Sequence, residues 1–554
     1  MTYLVELLTT ACVELFNLSE EPELTRPDEQ FGDFASNIAL QLAKQLKQQP
    51  RQIAEQLKTY IEANSDGSIT KVEVAGPGFL NLTLSDQVLW KAAQTIPKTV
   101  FKGQKLLLEY SCPNAFKELH AGHLYQTIVG DVIGNLTQTA GAKVFRANFG
   151  GDVGLHVAKS LYGITDLLGG ELPEELNNVP PAQHAAWLSK VYVKGSQAYE
   201  DDPKAALAIK DINKRIYGFH DNDDHESPLA KIYWECRQWS YDYFKEFYEG
   251  LKVAPFDKYY PESTVTNRGL ETVKEHIGDV FKESQGAVIF AGEDSGTHTR
   301  VFITSANLPT YETKDLGVIL TEKDDFPYQR RVIITGNDQV EYMKVVFAAL
   351  AEIDDDLAGK QTHLSHGTIR FGDGKKMSSR LGNVTRAADV ISSVEKAVEA
   401  KNAKLREQIT LGAIKYAFLK PRIGGDIALD VQESVSLQGN SGPYLQYAYA
   451  RACSILAKAS TSPLSKPSFE TGERSLVRSL SQFAGVVEQA TIEMSPHIIC
   501  TYLYELAQAF NRFYENNRVI GDKRQAVRLS LVAAYAQTLK TGLGLLTIPA
   551  PEQM

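Results

Sequence analysis

Two stretches of this chain read as strands buried on both faces, and each runs straight into a helix. "KLLLEY" (105–110) is a continuous apolar run of the kind found inside parallel sheets, and "RRVIITG" (330–336) repeats the pattern. The first leads into "SCPNAFKELHAGHLYQTIVGDVIG", the second into "QVEYMKVVFAALAEI", both with apolar residues at helical spacing. Two strand-then-helix units far apart in the chain predict a doubly wound α/β domain, set at 101–390 and split by an insertion at about 165–305.

The flanks follow other patterns. Within 1–100, "FASNIALQLAKQL" has a helical period, while "KVEVA" and "FLNLTL" alternate on either side of Gly76-Pro77-Gly78. That predicts a small N-terminal α/β domain. From 391 to 554 the pattern is wholly helical, with Leu503, Leu506, Phe510 and Phe513 on one stripe. A chain of 554 residues has room for three such units, each with its own core.

Composition removes several classes of function. No apolar run is long enough to span a bilayer, and the first residues lack a basic leader, so neither a membrane protein nor a signal peptide is expected. The five cysteines are scattered and form no CxxC pair, which disfavours a disulfide framework or a zinc site and suits the cytoplasm. His220 and His225 in "FHDNDDHESP" read as part of a solvated loop, and no metal site is assigned. The net charge, 58 − 68 = −10, argues mildly against nucleic acid, although one basic face can coexist with an acidic remainder. No coiled-coil heptads appear, and a monomer is expected.

In open parallel sheets, ligands bind at the carboxyl ends of the strands, where helix N-termini present unpaired N–H groups. "LLLEY" delivers "SCPN" and then "HAGH" to such an edge. His120 and His123 project from one face of the first helical turn, and Gly122 leaves the backbone open to a flat group. From this stretch alone, a phosphate seat and a simple helix cap are equally good readings. A second stretch separates them. "FGDGKKMSSRLGN" (371–383) packs Lys375, Lys376 and Arg380 around Met377, Ser378 and Ser379, a basic loop suited to neutralising phosphate charge.

"HAGH" followed by "KMSSR" resembles the HIGH and KMSKS signatures of class I aminoacyl-tRNA synthetases. "EYSCPNAFKELHAGHL", "YETKDLG", "GNDQ", "SGPYLQYAYARA" and "PAPEQM", in that order, are similar to the arginyl-tRNA synthetase family over nearly the whole chain. The resemblance implies a class I Rossmann-like catalytic domain with an insertion, a small N-terminal α/β domain that touches the tRNA elbow, and a C-terminal all-α anticodon-binding domain. It implies ATP-dependent activation of L-arginine, with Mg2+ arriving on the ATP, and transfer to tRNA(Arg).

By the same resemblance, His120, Gly122, His123, Lys376, Met377 and Ser378 bind ATP, with His120, His123, Lys117, Lys376 and Arg380 catalytic. Ser379 stands where the signature has its second lysine, and Lys117 is expected to supply the missing charge. Arginine is expected at Glu109, Asn114, His120, Tyr311, Asp315 and Gln339, with Asp315 taking the guanidinium and Asn114 the backbone end. Tyr311 and Asp315 are four apart and would face one pocket. Tyr444, Tyr447 and Arg451 would present a stacking face to the anticodon, with Phe510, Tyr514 and Met554 beside it, and Phe79 and Asn81 would touch the elbow. The rival readings are a small-molecule nucleotidyltransferase, a synthetase for another amino acid, and a catalytically altered paralogue that binds tRNA.

Overall fold

A computed structural model gives the architecture; it describes residues 2–293, 295–371, 385–459, 464 and 467–554. Lys375, Lys376, Met377, Ser378, Ser379 and Arg380 lie outside the described residues.

In the N-terminal part, strands β1 (Leu24–Thr25), β2 (Phe34–Ser36), β3 (Ile69–Ala75) and β4 (Phe79–Leu84) form an antiparallel sheet in the order β1-β2-β4-β3. Helices Thr2–Phe16, Ile38–Leu46 and Pro50–Asn64 accompany it, the last burying Ile53, Ala54, Leu57 and Ile61 at helical spacing. Here one expectation is corrected. Phe79 is exposed, but Asn81 is buried in a central strand, paired with Ala35 on one side and Glu73 on the other. A side chain enclosed in that way cannot be offered to an RNA backbone.

The central sheet is parallel throughout, in the order β12-β11-β5-β6-β7, from β5 (Lys105–Glu109), β6 (Lys143–Gly150), β7 (Lys258–Pro261), β11 (Arg330–Gly336) and β12 (Gln361–His366). The two apolar runs are therefore neighbours: β5 lies directly beside β11, with Arg331 level with Leu107. Strand order reverses between them, so a crevice opens at the carboxyl ends of β5 and β11. The stretch 165–305 is not one insert, because the chain returns to the main sheet as β7 in the middle of it. Helices occupy the first part, and the second carries a small antiparallel sheet of β8 (Phe281–Ser284), β9 (Ala287–Phe290) and β10 (Arg300–Ile303). Four residues of β7 amid helical sequence are too short a run for periodicity to detect.

After β7, helix Glu262–Glu275 packs against helix Tyr311–Asp325. A Cβ on Gly269 or Gly317 would strike the facing backbone carbonyl of Thr313 or Val265, so these two glycines allow the helices to touch. That close crossing sets Glu262 against Lys314, an ion pair with both partners buried. Among the described residues, no helix is long and apolar enough to cross a membrane.

The C-terminal part is a helical array, including Ala403–Leu419, Gly442–Leu456, Thr471–Leu480, His497–Asn516 and Gln525–Leu545. The stripe Leu503, Leu506, Phe510 and Phe513 is buried. Phe510, expected near tRNA, is instead fully enclosed and stacked on Tyr535 with ring centres 3.8 Å apart. A stripe at helical spacing pointed to the core, and the family resemblance did not override it. Phe510→Ala should therefore lower stability by about 3–5 kcal/mol, whereas Tyr447→Ala, at an exposed site, should stay within about 0.5 kcal/mol. Urea denaturation of both variants checks the pair.

Candidate active site

β5 leaves the sheet through strained backbone. Ser111 and Cys112 both adopt left-handed φ, 73° and 45°, a region that costs most side chains roughly 1–2 kcal/mol. Buried hydrogen bonds hold the turn. Thr127 Oγ1 donates to Ser111 Oγ at 2.9 Å, and Ser111 Oγ pairs with Tyr248 Oη at 2.9 Å. The sharp exit leaves Glu109 at the end of β5, enclosed and held by Arg331, and throws the chain over to the helix Ala121–Thr139.

The two histidines build the start of that helix. His120 is the N-cap, its Nδ1 accepting the N–H groups of Gly122 at 3.0 Å and His123 at 3.4 Å. His120 N–H donates in return to Nδ1 of His123 at 3.2 Å, and the two rings stack 3.8 Å apart. Gly122 is required for a reason other than the one expected. A Cβ there would lie 2.8 Å from the His120 ring, so the open backbone is filled by that imidazole.

The capping role and the ligand-binding role are thus compatible. With each Nδ1 accepting, the neutral imidazole carries its proton on Nε2, and neither Nε2 is engaged among the described residues. Both rings are held neutral. Burial, then Lys117, push the His120 pKa down to about 4; burial, then His120 and Lys117, push His123 well below the usual imidazole range. Lys117, half-buried with its Nζ 5.4 Å from the Tyr192 ring, adds its charge to the downward push on both imidazoles.

The flanks of the basic loop close on the same turn. Ala121 N–H donates to Thr385 O at 3.0 Å, Ala387 N–H donates to Leu119 O at 2.8 Å, and His120 forms a β-bridge with Arg386. On the other side, β12 ends at His366, which hydrogen-bonds Gln126 at 3.0 Å and approaches Gly122. The described chain therefore resumes after 384 directly beside the histidine pair, with His366, upstream of the stretch, on the pair's other side.

Acids gather on the far side of the crevice. Glu109 is buried and paired with Arg331, which also donates from Nε to Glu322 at 2.6 Å. Glu262 pairs with Lys314, and Arg300 lies 3.1 Å from Glu312. Asp315 is buried yet makes no hydrogen bond or ion pair among the described residues. Burial first, then the charge of Glu109, raises its carboxyl pKa well above the usual range. Glu109 and Glu322 share Arg331, Glu262 has Lys314 and Glu312 has Arg300, while Asp315 has no such partner among the described residues.

The remaining predicted residues are distributed around this pocket. Asn114 bridges to Gly151 and lies over it beside Glu262. Tyr311 is 66% exposed, its ring 5.5 Å from Lys314 Nζ, so it stands at the lip while Asp315 lies inside. Gln339 sits exposed on the turn after β11, at the carboxyl edge. Sequence reasoning missed Glu262, Lys314 and Arg331. Lys314 adjoins Asp315 in "YETKDLG", and Arg331 follows Arg330 at the start of a strand that is otherwise mostly apolar; either oddity was a usable signal.

On the helical array, the expected stacking face divides. Tyr444 turns toward helix His497–Asn516, accepting a hydrogen bond from Asn511 at 2.8 Å, and Arg451 lies 4.5 Å above the Tyr514 ring. Tyr447 is exposed and, with Met554, Leu437 and Lys401, borders a separate cavity of about 410 Å³.

Comparison with known proteins identifies the family. The profile described as "tRNA synthetases class I (R), catalytic domain" matches residues 85–425, "Arginyl tRNA synthetase N terminal domain" matches 3–84, and "DALR anticodon binding domain" matches 445–554. An arginine–tRNA ligase of Bdellovibrio bacteriovorus is 30% identical, covering 95% of this chain and 93% of that protein. One from Bacteroides thetaiotaomicron is 27% identical over 96% and 95%. The arginyl-tRNA synthetase structure of Thermus thermophilus superposes with a TM-score of 0.80 over all of both chains at 23% identity, a likeness of fold. Because the catalytic-domain profile alone spans more than half of the residues, this chain belongs to the arginyl-tRNA synthetase family.

Proposed function

We propose that this arginine–tRNA ligase activates its amino acid in the crevice between β5 and β11, with Asp315 receiving the substrate guanidinium. The observation that carries this reading is a buried carboxylate with no partner among the described residues, set among acids whose other members are already paired. A guanidinium matches it: planar, always charged, and able to donate to two carboxylates at once. Glu109 supplies the second acceptor, Tyr311 closes the lip, Asn114 and His120 take the backbone end, and Gln339 borders the entrance.

The substrate carboxylate is a nucleophile at neutral pH, so its attack on the α-phosphorus of ATP needs no general base. What the protein must contribute is alignment, together with stabilisation of charge on the phosphates as pyrophosphate leaves. The neutral Nε2–H groups of His120 and His123 are donors for that purpose, with Gly122 keeping the rings in register. Lys376 and Arg380, with Met377 and Ser378, act from the loop whose described flanks meet at His120. Mg2+ comes bound to the triphosphate.

Lys117 supplies fixed positive charge close to both histidines. Lys117→Ala should slow arginine charging about 100-fold with little change in the arginine KM. An unchanged turnover would make Lys117 a surface lysine of no catalytic consequence.

For tRNA(Arg), we assign Tyr447 and Met554 to one contact and Tyr444, Arg451 and Tyr514 to another, with Phe79 toward the elbow. We place the protein in the cytoplasm as a monomer; its five cysteines form no disulfide, which suits a reducing compartment. Incubation with ATP, labelled arginine and a total tRNA pool tests the function directly. Acid-precipitable label that depends on arginine is expected; label from lysine or glutamate instead would refute it.

A further inference from the structure

We infer that Arg474 is a positioning residue for tRNA: it fastens the strand that carries Phe79 to the helical array that carries Arg451 and Tyr514, so that both parts meet the nucleic acid as one rigid body. The inference rests on the tRNA contacts read above and extends them to a residue that is assigned none.

Interfaces between parts of one chain are usually modest and polar, and relative motion across them is the ordinary expectation. The contact between the N-terminal part and the array is built to resist it. The guanidinium of Arg474, on helix Thr471–Leu480, grips three points of the N-terminal part. One arm pairs with Asp86, at the start of helix Asp86–Ala93. The other donates to Asp33 Oδ2 at 2.6 Å and to Leu84 O at 2.9 Å. Asp33 is 2% exposed, and the same Oδ2 accepts the Leu84 N–H at 2.8 Å. Both backbone polar groups of the last residue of β4 are thus drawn into the pair. Around this fork, Ser475 Oγ donates to Glu29 at 2.6 Å and Arg26 donates to Ser481 Oγ at 3.0 Å. A planar fork on a buried carboxylate fixes orientation as well as distance.

The preceding residue turns the other way. Glu473 is fully buried and accepts from Arg524 Nε at 2.8 Å and Arg528 Nε at 2.9 Å, both within the array. Consecutive residues of a helix do not share a face, so Glu473 ties this helix into the array while Arg474 ties it to the N-terminal part. Tyr502 Oη, on helix His497–Asn516, donates to Ser479 O at 3.2 Å, and the same helix carries Asn511 and Tyr514. At the other end, Phe79 begins β4, five residues before Leu84 and about 17 Å away along an extended strand. The fork at one end of β4 therefore sets where Phe79 stands relative to Tyr514. Two contacts already spaced for one ligand engage it without a further ordering cost, and a loose joint restores that cost as weaker affinity.

The test is steady-state charging of two transcripts, tRNA(Arg) and the same tRNA with the exposed bases of its elbow replaced. Arg474→Lys leaves a cation beside buried Asp33 but cannot also hold Asp86, which is partly exposed and keeps the Phe469 N–H at 2.9 Å. The expected result is a rise of about tenfold in the tRNA KM for the unaltered transcript, with kcat within about threefold and the arginine and ATP KM unchanged. On the altered transcript, wild type and variant should agree within about twofold, because the contact that the joint positions is already gone. Asp86→Asn removes one anchor without leaving a buried charge unpaired, and should give the same pattern with a smaller rise. An unchanged tRNA KM in both variants, or an equal loss on both transcripts, overturns the inference. New protease cleavage within residues 1–93 of Arg474→Lys also overturns it, leaving Arg474 a structural residue. If wild type charges the two transcripts alike, the elbow reading falls and this inference with it.

Discussion

Asn in place of Asp315 is expected to lower kcat/KM for arginine by about 10³ while leaving the protein as stable as before or more so. The size follows from the site. Truncating one partner of a buried, hydrogen-bonded charge pair costs about 2–5 kcal/mol, and about 4 kcal/mol corresponds to three powers of ten. Asn has the shape of Asp, but it meets a guanidinium with one acceptor and a clashing NH2 group. The stability change has the opposite sign because the carboxylate is buried without a partner beside Glu109. Neutralising it relieves a desolvation cost that the free protein otherwise bears.

The pH dependence can be signed in the same way. The Asp315 carboxyl is raised well above the usual range, so the folded state holds this proton more tightly than the unfolded chain does. Its ionisation therefore costs stability as pH rises, and its protonation weakens arginine binding as pH falls. The arginine KM of wild type should climb on acidification, and that of Asp315→Asn should be flat through the same window. Steady-state charging across pH, with thermal melts of both proteins, checks this. An Asn variant with wild-type arginine KM, or one that melts far lower, would mean that Asp315 belongs to the core.

His120→Asn should separate capping from catalysis. Asn is as good an N-cap as any residue, and its Oδ1 can accept the N–H groups that His120 Nδ1 now accepts at 3.0 and 3.4 Å. The melting temperature should shift by no more than about 3 °C. What Asn lacks is the Nε2–H on the far edge of the ring. Loss of a single preorganised donor to developing phosphate charge costs about 10²–10³ in rate, and kcat should fall by that factor. A fall in stability with turnover intact would reduce the histidine pair to a cap.

Much of the architecture was legible because it depends on periodicity. The parallel strands β5 and β11, the alternating strands around Gly76-Pro77-Gly78 and the helical C-terminus each repeat a local pattern over enough residues to be read. β7 was not legible, because four residues carry no period. The burial of Asn81 and Phe510 was misjudged where a family correspondence outweighed a strand centre and a helical stripe. The acidic cluster was visible only in part: Glu109 and Asp315 were named from motifs, while Glu322, further along the helix of Asp315, and Glu262 and Arg331, from other segments, were not, and nothing in one dimension pairs them.

What the sequence determined by itself is part of the chemistry brought to the carboxyl edge: two imidazoles on a helix start, and acids at the end of a strand and the start of a helix. Local pattern suffices for that, because strand exit and helix start are decided by near neighbours. What only the tertiary structure decided is which charges are already satisfied. Charge pairing depends on side chains more than two hundred residues apart, as Glu109 and Arg331 are, and through it Asp315 alone among these acids is left without a partner among the described residues.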